Sequence, residues 1–302
     1  MPPLQGRPPR RPPHGEVGRR RAIAAGLLVL FLAVALYFVF GSRGGGTEET
    51  ASEPVVTTAP RPTILRVVFP EGFTRKEMVK RVAEVRQIAK TKRKVTPKLS
   101  SNAYAKASKA ATVPPVFRKH ARGIEGFLFP ATYEFTPTTT AKKLVADQIA
   151  HFNDNWAKVD QRFSTTKNLT PYDVLIIASM VEKETIAPDE RPLVAAVIYN
   201  RLKAGMPLGI DATIRYGLDV PGTEALRVSQ LESDSAYNTR NRTGLPPTPI
   251  ANPGLASMQA AAHPAKVKYV FFVRKPDRVH HFFTASESEF YAKACEYGFG
   301  CG

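Results

Sequence analysis

Cysteine is nearly missing from the 302-residue chain: Cys295 and Cys301 are all it has. Two thiols do not make a metal site, so no metal and no cofactor is expected. Six apart near the C-terminus, they either close a small loop in an oxidising compartment or stay free. Beyond residue 63 there is no internal repeat and no low-complexity run, which argues against a repeat array. Charge is wholly absent from Ala22 to Phe40, and the arginine-rich stretch before it, residues 1–21, has nothing from which to build a core. A helix over those 19 charge-free residues spans roughly 28 Å, about the thickness of bilayer hydrocarbon. A cleavable signal peptide has a shorter apolar stretch, about 7–15 residues, closed by small side chains. Here the run closes with Tyr37-Phe38-Val39-Phe40, so an uncleaved transmembrane helix over residues 22–41 is expected. Six arginines before the span, against Arg43 alone just after it, put the tail 1–21 in the cytoplasm and the rest outside the cell membrane.

Acidic residues are scarce in one further segment. Residues 66–120 hold 15 Lys/Arg and three Glu, a net +12 out of the chain's +17, while residues 121–302 are nearly balanced. A basic patch usually meets nucleic acid. Placed outside the membrane, this one is expected to meet anionic wall polymers or lipid head groups, with no nucleic acid.

Residues 42–63 read as a flexible spacer of Gly, Thr, Glu and Pro. Order begins near Ile64. LRVVF is a short strand, Pro70-Glu71-Gly72 a turn, and Thr74 an N-cap with Glu77 three residues on. Met78, Val82, Val85 and Ile88 then recur at helical spacing to about Lys90, whereas residues 91–120 have no clear period. From Gly123, GIEGFLFPATYEF suggests strand and turn, and Thr140 to Trp156 an amphipathic helix carrying Leu144, Val145, Ile149 and Phe152. The fold class is α+β.

The segment with the most chemistry starts at Thr170-Pro171-Tyr172-Asp173, a strong helix start. DVLIIASMVEKE is apolar on all sides for eight residues, so the helix is expected to be buried, with Glu182 at its far end on the face of Ser179, Ala178 and Leu175. A carboxylate leaving such a helix is partly desolvated, which favours its neutral form and suits a general acid. A buried Glu182 paired with Arg191 or Arg201 is the competing reading. Glu184 faces elsewhere. A second helix, capped by Asp189 or Pro188 and ended by Gly205, brings Asn200 and Arg201 towards Asp211 and Thr213, either as a lining for a polyhydroxylated ligand or as loop caps. Tyr237-Asn238-Thr239 and the proline-rich 244–250 form a stiff loop able to wall a cleft. Met258–Ala262 reads as a short helix, Tyr269–Val273 as a core strand and His281-Phe282-Phe283 as its antiparallel neighbour.

ASMVEKET at 178–185, ER at 190–191, NRLKAGMPL at 200–208, DATIRYG at 211–217, AYNT at 236–239, GLPPTPIANPG at 244–254 and AAHPA at 261–265 occur in that order. Together they resemble the endolytic murein (peptidoglycan) transglycosylase family, the YceG-like proteins, over roughly residues 123–285. Ala212 stands where that family usually has proline after the aspartate. The resemblance implies a small LysM-like subdomain at 64–122 and a mixed α+β catalytic domain at 123–302. It also implies lytic cleavage of glycan strands between N-acetylmuramic acid and N-acetylglucosamine, leaving 1,6-anhydro ends, with Glu182, the first Glu of VEKET, as acid/base. Ser179, Glu184, Asn200, Arg201, Asp211, Thr213, Tyr237, Asn238 and Thr239 are the candidate substrate contacts. The expected partners are peptidoglycan strands, the membrane and cell-wall synthases. Two other readings remain: a non-catalytic wall-binding scaffold, and a Ser–Lys hydrolase using Ser179 and Lys183, which lacks an evident oxyanion-hole sequence.

Overall fold

The computed structural model describes residues 63–300, so the expected tail, membrane span and spacer, like Cys301, lie outside the described residues. Strict alternation makes the first strand, β1 (Leu65–Val68), with Leu65 and Val67 buried between exposed Arg66 and Val68. It pairs antiparallel with β2 (Thr132–Phe135), Leu65 opposite Phe135 and Val68 opposite Thr132. After the turn at 70–72 comes helix α1 (Arg75–Lys92). Its start is the expected capping box: Glu77 N–H donates to the Thr74 hydroxyl, and Thr74 N–H donates to the Glu77 carboxylate at 2.7 Å. Met78, Val82 and Ala89 are buried, but Ile88, expected on that face, is exposed. Helix geometry explains this: Ala89 returns to within about 20° of Met78, while Ile88 lies about 80° away.

The stretch without a period holds helix α2 (Ser101–Lys109), capped by Ser100, and a single 3-10 turn at Pro115–Phe117. Nothing in sequence marked α2 because its buried face is only Tyr104 and Ser108. Helix α3 (Ala141–Trp156) buries Leu144, Val145 and Phe152 as expected, with Ile149 partly buried. Its Gln148, also buried, accepts the Tyr104 hydroxyl at 2.6 Å. Phe117, Phe127, Phe152 and Trp156 form an edge-to-face aromatic cluster against it. One hydrophobic core runs from Leu65 to Ala262, so residues 65–122 share their packing with the rest of the fold.

Beyond a one-turn helix α4 (Arg162–Thr165) lies α5 (Pro171–Glu184), begun by a Thr170–Asp173 capping box and buried at every residue from Val174 to Val181. Helix α6 (Arg191–Ala204) packs beside it and ends, as expected, at Gly205 with φ 65°. Its entry differs from expectation. Pro188–Glu190 form a 3-10 turn and Glu190 takes the cap position without a capping bond. The Glu190 carboxylate is turned instead to buried His281, accepting its backbone N–H at 2.8 Å and standing 2.7 Å from Nδ1. Three further helices, none of whose starts was expected, complete this half: α7 (Asp211–Leu218), α8 (Val228–Leu231) and α9 (Leu255–Ala262), the last beginning three residues before the predicted Met258. The closing hairpin pairs β3 (Phe271–Arg274) with β4 (His281–Thr284). Expected as a core strand, β3 buries only Val273, because the hairpin is covered on one side by α10 (Glu287–Glu296) and lies at the edge of the core. Cys295, in α10, is disulfide-bonded. Two two-stranded sheets among many helices make this a mixed α+β fold.

Candidate active site

Three chain segments meet at the end of α5. Glu182 is half-buried in its last turn, and its Oε2 accepts the Gly254 N–H at 2.9 Å. Gly254 is the N-cap of α9, where free backbone donors and the helix dipole favour negative charge. With Oε2 occupied, Oε1 is the oxygen left to carry or deliver a proton. The third segment is the turn at 70–73. Gly72, at φ +76°, adopts a backbone that glycine alone takes without strain, and a Cβ there would sit 3.5 Å from Glu182 Cγ. The turn is bound to the 252–254 loop by Gly72 N–H donating to Asn252 O and Asn252 N–H to Phe73 O, both at 3.0 Å. Lys183 Nζ donates to Gly72 O at 3.3 Å.

Glu71 arrives on the same turn. Its carboxylate covers Gly254 so closely that a Cβ at 254 would fall 1.8 Å from Glu71 Oε1. Burial, then the charge of Glu182, push the Glu71 carboxyl above its usual range, and Arg191 pulls it back. The site thus holds two carboxylates from distant parts of the chain around one glycine, with an arginine beside them.

Behind it stands a buried polar knot. Asn252 Oδ1 accepts both Gly126 and Leu128 N–H at 2.9 Å, and its Nδ2 donates to Phe73 O at 2.9 Å and Glu125 Oε1 at 2.7 Å. Glu125 also takes Arg75 N–H at 2.9 Å and the Tyr216 hydroxyl at 3.2 Å. Burial nevertheless pushes Glu125 up to about 7. Glu184 is likewise pushed up to about 7 by burial, opposed by Arg274. Both folded values lie above the ordinary one, so the folded chain binds these protons more tightly. Their stabilising contribution is complete below about pH 4.5 and is lost as pH rises through about 7. Unfolding temperature is therefore expected to fall between about pH 5 and pH 8, and Glu125→Gln to flatten that fall. An equally steep decline in the variant would refute the assignment.

The remaining predicted contacts divide clearly. Ser179 is fully buried, donates to Ile176 O at 2.7 Å and accepts Ile250 N–H at 3.0 Å; it fastens the proline-rich loop to α5 and is no free nucleophile. With Lys183 on Gly72 O, this removes the Ser–Lys reading. Asn200 holds the carbonyls of Val267 and Tyr269, and Arg201 those of Val270, Pro207 and Leu208, so both brace loops. Thr213 and Thr239 are buried against each other at 3.0 Å, and Asn238 is buried on the carbonyls of Leu231 and Ser233. Asp211 pairs with Arg240 at 2.7 Å, exposed. Tyr237 is half-buried, its hydroxyl 2.8 Å from Thr248. Of the predicted set, then, only Glu182 is among the groups gathered around Gly254. The competing Glu182–arginine pair is not formed among the described residues: Arg191 Nε donates to Ser257 at 3.1 Å, and Arg201 is spent on carbonyls. Sequence reading missed Glu71, Asn252 and Gly254. The last two sit in the GLPPTPIANPG motif, which was the available signal.

Two cavities lie elsewhere among the described residues, neither of them lined by Glu182. One of about 390 Å³ is lined by Arg191, Gln259, His263, Lys158 and Asp160 among others, and so reaches the arginine of the site though not Glu182 itself. The other, about 450 Å³, lies around Phe163, Tyr199, Lys167, Lys203 and Lys266.

Residues 47–296 match the model of the YceG-like family. An endolytic murein transglycosylase of Bacillus subtilis is 38% identical over 162 residues, which is 53% of this chain and 44% of that protein. One from Streptococcus pneumoniae is 32% identical over 245 residues, 76% of this chain and 42% of that protein. A yceG-like protein of Listeria monocytogenes, solved by crystallography, is similar with a TM-score of 0.63 at 29% identity, covering 77% of this chain and 76% of that one. The chain spans less than half the length of the curated relatives it matches.

Proposed function

Because the chain belongs to the YceG-like family, we propose that it is an endolytic peptidoglycan lytic transglycosylase with Glu182 as its acid/base. The observation that carries this reading is the placement of Glu182: half-exposed at the tip of a buried helix, one oxygen fixed by Gly254 N–H and the other without a hydrogen-bond partner among the described residues. Glu182 Oε1 protonates the glycosidic oxygen as the bond from N-acetylmuramic acid C1 breaks. It then takes the proton of that sugar's C6 hydroxyl while the hydroxyl oxygen closes on C1. The product is a 1,6-anhydro end, and the carboxyl regains its proton. Hydrolysing glycosidases commonly need two carboxylates because water must be activated separately; here the substrate brings its own nucleophile.

In this reading the charge-free run Ala22–Phe40 anchors the chain, with residues 1–21 cytoplasmic and residues 42–63 a spacer. Residues 64–122 are the LysM-like part and 123–302 the catalytic part, both outside the cell membrane. Internal cleavage next to the membrane suits an enzyme that ends nascent strands beside their synthases. The test is mass spectrometry of purified peptidoglycan after incubation with the protein. Anhydro-terminated fragments, lighter by one water than hydrolytic ones, are expected; ordinary reducing ends alone, or an unchanged wall, would sink the proposal.

A further inference from the structure

The two cavities follow one another along α6. Residues 158–160 and 256–263 flank the first, at Arg191 and Pro192; residues 163–169 and 264–267 flank the second, from Ala196 to Lys203. We infer that the second, of about 450 Å³, is a subsite for the peptide carried by the muramic acid of the strand. It holds the carboxylates of that peptide, so the enzyme selects peptide-bearing strands over bare glycan. This rests on the proposed function, whose substrate it specifies.

Its lining suits an anion borne on an apolar chain. Phe163, Leu169, Tyr199, Leu202 and Val267 form a partly exposed, mainly apolar floor. Lys167, Lys203 and Lys266, all exposed, line it too, with Lys167 Nζ 5.3 Å from the centre of the Phe163 ring. Among the described residues the lysines in ion pairs are Lys76, Lys143 and Lys293, so these three have no counter-charge. No carboxylate lines the cavity. Asp173, whose charge reaches Tyr199, already accepts the Thr170 N–H at 2.8 Å and hydroxyl at 2.7 Å. The neutral polar groups are spent as well: the Tyr199 hydroxyl donates to Ala261 O, and Asn200 to the carbonyls of Val267 and Tyr269. A bare sugar would leave the lysines unanswered, and a bare phosphate would leave the floor uncovered. A peptide with small side chains and free carboxylates meets both. Length fits too. At about 1.5 Å per residue along α6, the cavity lies roughly 8–18 Å beyond Arg191, and an extended peptide of four or five residues reaches about 13–18 Å. Arg191 is the arginine acting on Glu71, which covers Gly254. The first cavity lies between, and its one acid, Asp160, already accepts Arg162 N–H at 2.9 Å and Nε–H at 2.7 Å.

The test compares strands bearing their peptides with the same strands stripped of peptide by an amidase, each digested with the full chain and scored by mass spectrometry of anhydro ends. At limiting substrate, wild-type protein should cleave the peptide-bearing strands about tenfold faster, the size that a few exposed charge contacts supply. Lys203→Glu combined with Lys266→Glu should bring that ratio towards one. Lys142→Glu combined with Lys143→Glu reverses as much charge on α3, outside both linings, and should leave the ratio in place. All four lysines are exposed, so both variants should fold. Equal wild-type rates on the two substrates, a preference that survives in the Lys203/Lys266 variant, or one lost equally in both variants overturns the subsite. Titration with a labelled free stem peptide gives a second readout: wild-type protein should bind it saturably, and the Lys203/Lys266 variant about tenfold more weakly. Displacement of that peptide by an equal concentration of inorganic phosphate would mean that the lysines take any anion, and overturns the subsite too. Peptide binding needs no cleavage. Protein that binds the peptide but makes no anhydro ends from either substrate therefore overturns the proposed function and leaves the subsite standing.

Discussion

Glu182→Gln is expected to lower anhydro-end formation by about a thousandfold, the middle of the range for loss of a general acid/base. The substitution is close to isosteric, and the amide oxygen of glutamine still accepts the Gly254 N–H that fixes Oε2. Under the proposed mechanism, what disappears is the ability to give a proton to the glycosidic oxygen and to take one from the C6 hydroxyl. Because Glu182 is half-exposed and forms no ion pair among the described residues, unfolding temperature should barely change. The two readouts together separate chemistry from folding. Anhydro ends released at the wild-type rate would remove Glu182 from the mechanism.

The largest expected effect on stability belongs to Asn252→Ala. The Asn252 side chain makes four hydrogen bonds at 2.7–2.9 Å while fully buried, and its loss strands the N–H groups of Gly126 and Leu128, whereas Phe73 O keeps the backbone N–H of residue 252 and Glu125 Oε1 keeps Arg75 N–H. Each buried group left unpaired costs about 1–3 kcal/mol, partly recovered by water entering the space, so with two N–H groups stranded a loss of roughly 2–4 kcal/mol is expected. For a unit of this size that corresponds to a drop of about 10 °C in unfolding temperature, measurable by calorimetry. A change below about 1 kcal/mol would mean that the loops at 72, 126 and 252 hold together without it.

What could be read from the sequence was local. The capping boxes at Thr74 and Thr170, the buried helix between Val174 and Val181, the glycine stop at Gly205 and the β3–β4 hairpin depend on residues a few positions apart, and propensity or spacing reveals them. The place of Glu182 at the tip of the buried helix was legible for the same reason, being the polar end of an apolar run. Glu71 was not: Pro70-Glu71-Gly72 announces a turn, and nothing local tells that its carboxylate meets a glycine at 254. Asn200 and Arg201 show the reverse error. Their side chains suit sugar hydroxyls, but carbonyls of the 267–270 segment took them first. Residue type records what a side chain can bind, and only the tertiary arrangement says which partner it has.

The seam at residues 122 and 123 has a practical consequence. β1 is zipped to β2, and Phe73 is tied to Asn252, so a fragment cut at that seam would part with a strand, an acid and the partner of the buried asparagine in one stroke. The forepart is no detachable targeting tag. Whatever loosens it, whether a protease or a ligand, acts directly on the surroundings of Glu182.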